Sequence, residues 1–253
     1  MLQSKRYEII LDKLNKTGEV QVTALSKELN ISESTIRRDL LDLQLQQKLV
    51  RVHGGAILGS SKQIFSESYE LQMDERMMIN TEEKKIVAQK AEKLIRDGQC
   101  VFIDGGTSTV NIIDELQYRD VKIVTNSELI IKRLNNPVAQ ITFLGGNYLD
   151  KYKMVVGPLA LMGINQFNFD ACFLSCAGID FDDNMSFTSE LQTLEIKKQA
   201  MKNSLNSYLL VDHSKVGVKG FCNFETLDKF DGILIDETTE LLENGLENLI
   251  LVK

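Results

Sequence analysis

The chain has 253 residues, 29 Lys and Arg against 36 Asp and Glu, a formal net charge of −7, and 43% hydrophobic residues. That length suits one large domain plus a small one, the composition is ordinary for a globular protein in water, and no apolar run nears the ~20 residues of a membrane span. The opening MLQSKRYEIILDKLN mixes charge into its apolar positions and lacks the continuous apolar core of a signal peptide, so a cytoplasmic protein is expected.

The charge is uneven. Residues 1–58 balance at +2 and the remainder at −9, which suggests two domains with different partners. Tyr7, Ile10, Leu11 and Leu14 recur at helical spacing behind a capping Ser4, and Gly18 ends that helix. Val20 and Val22 form a short extended piece, and Thr23 caps a second helix with Ala24, Leu25, Glu28 and Leu29 in its body. After the turn Asn30-Ile31-Ser32, a third helix runs from Glu33 to about Gln47.

In the third helix Ile36, Leu40 and Leu43 make one apolar face. Ser34, Thr35, Arg37 and Arg38 fall off that face near the helix start, where a recognition helix places its base and phosphate contacts. Arginine reads guanine edges or pairs with phosphate, and hydroxyls do either job. Asp39 is expected to orient an arginine, since its charge would be repelled by DNA. Residues Lys48 to Ile57 read as a strand, a Gly54-Gly55 turn and a second strand. A hairpin behind three helices is a wing, with Arg51 and His53 expected to face the DNA backbone or minor groove.

The stretch Val22 to Leu40, with Arg51-Val52-His53-Gly54-Gly55-Ala56 following it, resembles the winged helix-turn-helix of the DeoR family of bacterial transcriptional regulators. Either motif alone is weak, and the pair at this separation is specific. The boundaries are a DNA-binding domain over 1–57, a linker over 58–80 and an effector domain over 81–253. Gly59, Ser60 and Ser61 are linker-like. Phe65, Tyr69, Leu71, Met73, Met77 and Met78 are too apolar for a free tether, so part of the linker should dock on the larger domain or a partner subunit.

From Asn80 onward helices and strands alternate. Asn80 or Thr81 caps a helix through Ile95, and Gly98 stops it. Strands are expected at Cys100–Ile103, Val121–Val124, Gln140–Leu144, Ala171–Leu174, Tyr208–Val211, Ile233–Ile235 and Leu249–Val252, with a helix over about Ser189–Ser204. The pattern argues for an α/β domain with a mostly parallel sheet covered on both faces. Cys100, Cys172, Cys176 and Cys222 form no Cys-x-x-Cys, and His53 and His213 lie in distant segments. We read the cysteines as reduced core residues and expect no metal.

Sheets of this kind bind ligands beyond the carboxyl ends of their strands. Three polar strand ends are available: Asp104-Gly105-Gly106-Thr107-Ser108-Thr109, Thr125-Asn126-Ser127 and Gly145-Gly146. The first offers backbone N–H groups and hydroxyls to an anion, or it is an ordinary strand-to-helix turn. It has neither the spacing of a nucleotide-triphosphate loop nor the dinucleotide fingerprint, and no cofactor is expected.

These stretches, with Asp212-His213-Ser214-Lys215, look like the effector domain of the DeoR family, which is similar to ribose-5-phosphate isomerase and senses a phosphorylated sugar. The resemblance implies that Asp104 binds sugar hydroxyls and that Gly105 belongs to the same site. It implies that Gly106, Thr107, Ser108 and Thr109 cradle phosphate, that Thr125, Asn126 and Ser127 line the pocket beside Gly145 and Gly146, and that Lys215 supplies charge. The family's arginine after the glycine pair is missing here, and Lys151 or Lys153 stands nearby. Glu195 and Lys197 lie in a helix that also resembles the family pattern and could reach the pocket; the preferred reading is a solvated helix face.

The expectation is a sequence-specific regulator, a repressor of a sugar-utilisation operon, that binds operator DNA as a homo-oligomer, dimer or tetramer, and answers to a sugar phosphate. The alternative is a sugar-phosphate isomerase with a DNA-binding appendage. Where isomerases of that kind carry Asp-Gly-Ala-Asp, this chain has Ser175-Cys176-Ala177-Gly178-Ile179-Asp180 and lacks the first acid, so no enzyme activity is expected.

Overall fold

The computed structural model describes residues 2–45, 48–52, 54–58, 64–65, 72–236 and 246–252. The first domain packs α1 (Gln3–Thr17), α2 (Val22–Leu29) and α3 (Glu33–Leu45) around Ile10, Leu14, Leu25, Ile36, Leu40 and Leu43, all buried. These are the positions that helical spacing brings to one side of each helix. A three-stranded antiparallel sheet closes the domain, with β1 (Glu19–Gln21) beside β3 (Gly55–Ile57) and β3 beside β2 (Val50–Val52).

The helix starts differ from expectation. Ser4 lies inside α1, and Leu2 occupies the cap position without a side-chain bond. Thr23 lies inside α2, whose first N–H, that of Val22, donates to the carbonyl oxygen of Gly54 at 2.8 Å. The wing turn therefore satisfies a donor that a side-chain cap would otherwise take. Ser32 does cap α3, its hydroxyl accepting from the Thr35 N–H at 3.3 Å. Asp39 is buried and accepts from Arg6 Nε at 2.5 Å and Nη2 at 2.7 Å, so it orients an arginine as its charge required. The expected helix end at Gln47 lies outside the described residues.

Two linker elements are described, β4 (Ile64–Phe65) and α4 (Met73–Met77). Met73 is buried in the core of the larger domain, whereas Met78 is exposed. Tyr69 and Leu71 lie outside the described residues.

The larger domain runs α5 (Thr81–Glu92), β5 (Cys100–Ile103), α6 (Ile113–Leu116), β6 (Lys122–Thr125), α7 (Glu128–Arg133) and β7 (Gln140–Phe143). A hairpin follows, β8 (Asn147–Leu149) and β9 (Met154–Val156), then α8 (Pro158–Ile164) and β10 (Phe169–Ser175). Next come β11 (Gly178–Asp180), β12 (Met185–Thr188), α9 (Leu191–Lys202), β13 (Ser204–Val211), β14 (Lys219–Gly220), β15 (Cys222–Thr226), β16 (Gly232–Asp236) and β17 (Leu249–Val252). Seven strands form one parallel sheet in the order β17-β16-β13-β10-β5-β6-β7.

Alternate residues of each strand serve opposite faces. Phe102, Val124, Cys172 and Leu174 pack with α8 and α9, while Val101, Ile103, Ile123 and Phe173 pack with α5 and α6. The short strands β11, β12 and β15 make a separate antiparallel sheet, and β14 pairs in parallel with β4, which fastens the linker to this domain. The four cysteines are free. Among the described residues no helix is long and apolar enough to cross a membrane, and no cluster of His, Cys, Asp or Glu could hold a metal.

Strand order turns around between β5 and β10: successive strands spread one way from β5 and the other way from β10. Such a switch point leaves a crevice beyond the strand ends, and Asp104 and Ser175 are the residues the chain places there.

Candidate functional site

Asp104 follows β5 and is buried. Its Oδ2 accepts from the Ser175 hydroxyl at 2.5 Å, from the Ser175 N–H at 3.1 Å, and from Lys197 Nζ in a short ion pair. Lys197 also donates to the Ser175 carbonyl oxygen at 3.0 Å. Burial alone would push the Asp104 carboxyl up; the Lys197 charge and the Lys197 and Ser175 hydrogen bonds outweigh it and hold the group below the usual carboxylate range. Asp104 Oδ1 and Thr107 Oγ1 are buried without a partner among the described residues. Unpaired buried oxygens cost stability unless a partner completes them.

The loop after Asp104 adds donors. No backbone or side-chain acceptor among the described residues takes the N–H groups of Gly106, Thr107 or Ser108. Gly106 lines a cleft with Ser175, Cys176, Thr193, Lys197 and Arg76. A Cβ on Gly106 would overlap the Ser175 hydroxyl, so only glycine lets the loop pass this close to β10. Lys215 donates to the Ser108 hydroxyl at 3.2 Å and to the Cys176 carbonyl oxygen at 3.0 Å. Lys215 also pairs with the buried Asp212 at 3.8 Å, so Asp104 and Asp212 each hold one lysine, and Arg76 and Lys197 bring positive charge to the cleft wall.

Other sequence candidates sit elsewhere. The Thr109 hydroxyl donates to the Asp104 carbonyl oxygen at 2.7 Å and the Gly106 carbonyl oxygen at 2.8 Å, so it shapes the loop and is not turned toward a phosphate. Thr125 donates to the Ile103 carbonyl oxygen, Asn126 Nδ2 to that of Val155, and the Ser127 side chain caps α7. All three are buried beneath β9, and of them only Asn126 Oδ1 is left unpartnered. Gly105 is held against Met154, a cleft residue. Gly145 and Gly146 are exposed and do not line the cleft. Neither does Lys153, which pairs with Asp150 at 2.6 Å, or Lys151, which lies over the Tyr152 ring.

A second polar cluster lies behind the loop. Lys84 is buried and donates to the carbonyl oxygens of Arg76 at 2.6 Å and Ile79 at 2.7 Å. Asn80 donates to Asp212 at 2.8 Å instead of capping α5. Burial pushes the Lys84 ammonium down to about 7, with Lys215 adding repulsion and Asp212 opposing it. The unfolded chain keeps this proton up to its ordinary value near 10.5. Between those limits the unfolded state binds more protons, so stability rises with pH. Urea unfolding should show wild type gaining about 2 kcal/mol on Lys84→Met between pH 7 and 9. A pH-independent difference between the two would remove the assignment.

On the first domain Ser34, Arg37 and Arg38 are exposed and Thr35 is half-buried along the start of α3. The Ser34 and Thr35 hydroxyls both meet Ser32, and Arg37 pairs with Glu33 at 3.2 Å. Gly54 holds φ +79° at the wing turn, and a Cβ on Gly55 would strike the Val20 backbone. His53 lies outside the described residues. Arg51 departs from its expected place. Strand alternation turns it inward, where it is 8% exposed and donates to Glu75 of α4 at 3.0 Å. It does not present its charge to DNA in this arrangement.

Residues 6–62 match the DeoR-like helix-turn-helix domain, and residues 79–237 match the DeoR C terminal sensor domain. The chain belongs to the DeoR family. It is 31% identical to the uncharacterized HTH-type transcriptional regulator FruR of Bacillus subtilis over 99% of this chain and 98% of that one. It is 30% identical to a lactose phosphotransferase system repressor of Staphylococcus epidermidis over 96% of this chain and 97% of that one. Among solved structures, ribose 5-phosphate isomerase A of Methanocaldococcus jannaschii aligns at a TM-score of 0.40 and 18% identity, over 54% of this chain and 55% of that one, too loosely to bear on function. A DeoR-family chain is a DNA-binding transcriptional regulator with a sensor domain, and both parts are present here.

Two cations of this DeoR-family sensor lie outside the preferred sequence reading. Lys197 is buried on Asp104, as the pocket alternative has it and against the preferred solvated face, whereas Glu195 beside it is exposed. The signal was available: in the 3.6-residue period Lys197 falls beside the apolar Leu194, Ile196 and Ala200. Arg76 supplies a cleft cation from the linker, and no local pattern in the sequence announces it.

Proposed function

We propose that the chain is a repressor of a sugar-utilisation operon that releases its operator when a phosphorylated sugar occupies the cleft at the β5–β10 switch point. One observation carries this reading. Unpaired buried oxygens on Asp104 and Thr107 lie in the loop whose Gly106, Thr107 and Ser108 N–H groups have no acceptor among the described residues, and Gly106 of that loop lines the cleft, a donor and acceptor set that suits sugar hydroxyls and a phosphate. Lys215 and Lys197 supply charge. The relatives named as lactose phosphotransferase system repressors favour a sugar brought in already phosphorylated. Ser175 stands where an isomerase would carry its first acid, and its hydroxyl is committed to Asp104, which favours binding without turnover. Two copies of the reader on paired half-sites raise specificity.

The test is a gel-shift titration on DNA upstream of the protein's own gene, repeated with hexose, pentose and polyol phosphates and with their unphosphorylated sugars. The expected result is release by one phosphorylated compound alone, with no ribose 5-phosphate isomerised. Release by an unphosphorylated sugar, or turnover of the phosphate, would overturn the reading.

A further inference from the structure

α4 stands between the two domains and touches both with successive residues. Glu75 accepts from Arg51 of the wing strand β2 at 3.0 Å, and Arg51 is nearly buried. The next residue, Arg76, lines the sensor cleft with Gly106, Ser175 and Lys197. Met73 anchors the start of α4 in the sensor core, and Lys84 holds the Arg76 and Ile79 carbonyl oxygens at the far end. A five-residue helix fixed in this way has little freedom to move Arg76 without moving Glu75.

We propose that Arg76 binds the anionic group of the effector and that the adjoining Glu75–Arg51 ion pair carries this event to the wing. The proposal rests on the sugar-phosphate reading above and assigns it a linker residue. Arginine forms forked, charge-assisted hydrogen bonds with phosphate. An anion in the cleft therefore draws the Arg76 guanidinium inward and turns α4. Glu75 then leaves Arg51, whose buried charge is left without its partner and repelled by Arg37 on the recognition helix. The wing must shift to rehydrate it. The ligand prefers the shifted arrangement because only there does Arg76 close on the anion, which is the differential affinity that a switch requires.

The test uses full-length wild type, Arg76→Gln, Glu75→Gln and the exchange Glu75→Arg/Arg51→Glu. Calorimetry measures binding of fructose 1-phosphate, galactose 6-phosphate, glucose 6-phosphate and inorganic phosphate, and fluorescence anisotropy measures operator affinity with and without each. Arg76→Gln should weaken the best anion about tenfold or more. Glu75→Gln should bind that anion at least as tightly as wild type, because the pair that resists the shift is gone, while the anion's effect on operator affinity, about 5- to 150-fold for an ordinary allosteric coupling, shrinks to under about twofold. The exchange should restore part of the coupling. Equal anion affinity in wild type and Arg76→Gln overturns the binding role, and undiminished coupling in Glu75→Gln overturns the relay. A wild type that binds none of these anions, although its circular dichroism shows it folded, sinks the sugar-phosphate reading and this proposal with it. A wild type that responds while both variants match it sinks this proposal alone.

Discussion

Arg37→Ala/Arg38→Ala should lose operator binding by about 2 kcal/mol or more, at least ~30-fold, the expected cost if the two exposed arginines at the start of α3 each supply a base or phosphate contact. The plot of log affinity against log salt should also become shallower as phosphate contacts disappear. Folding should be untouched. Both side chains are exposed, Arg38 has no partner among the described residues, and Arg37 has only the surface pair with Glu33, worth about 0.3–0.5 kcal/mol. Anisotropy on the operator and a thermal melt distinguish the two effects. Unchanged affinity with an unchanged melt would move DNA reading away from α3.

Lys197→Met should act on stability and on sensing together. It leaves Asp104 ionised, buried and short of its counter-charge, and breaking a buried pair from one side costs about 3–5 kcal/mol. The double variant Asp104→Asn/Lys197→Met buries no lone charge and should recover much of that stability while staying deaf to the effector. Denaturant unfolding and effector-driven operator release, measured on the same preparations, close the cycle. The Asp104 carboxyl has its own pH signature. Its native value lies below the unfolded one, so its contribution to stability is complete above about pH 4 and is lost as the pH falls through the native value. Lys197→Met should blunt that acid dependence. A single variant as stable and as responsive as wild type would show that the buried pair is not part of the sensor.

Much of this was legible from local chemistry. Most of the parallel strands announce themselves as apolar runs, and the central ones have that composition because both faces are covered, whereas the edge strand β7 is largely exposed. The first domain follows from helical spacing, and Asp39 from the cost of a carboxylate facing DNA. What the sequence hid depends on contacts between distant residues. β8, β9, β11 and β12 have three or four residues each, too few for a period. Thr125 to Ser127 read as pocket residues because they end a strand, and only the fold shows β9 lying across them. Arg51 read as a DNA contact because wings present cations, but its orientation is set by Glu75, 24 residues away. Lys197 finds Asp104 at a separation of 93 residues, and Arg76 reaches the cleft only because the linker folds back.

That fold-back also fixes a ruler. β4 is paired to β14 of the sensor, and the wing strand β3 with the following Leu58 ends the reader. From Leu58 to Ile64 the chain spans at most roughly 20 Å even when fully extended. A reader on so short a leash does not search for its half-site independently. In any assembly of two copies, the gap between heads is inherited from the way the sensors sit together. Successive turns of DNA present the same groove about 34–36 Å apart, so the operator's half-site spacing becomes a property of the sensor assembly, held to a narrow choice of helical phase.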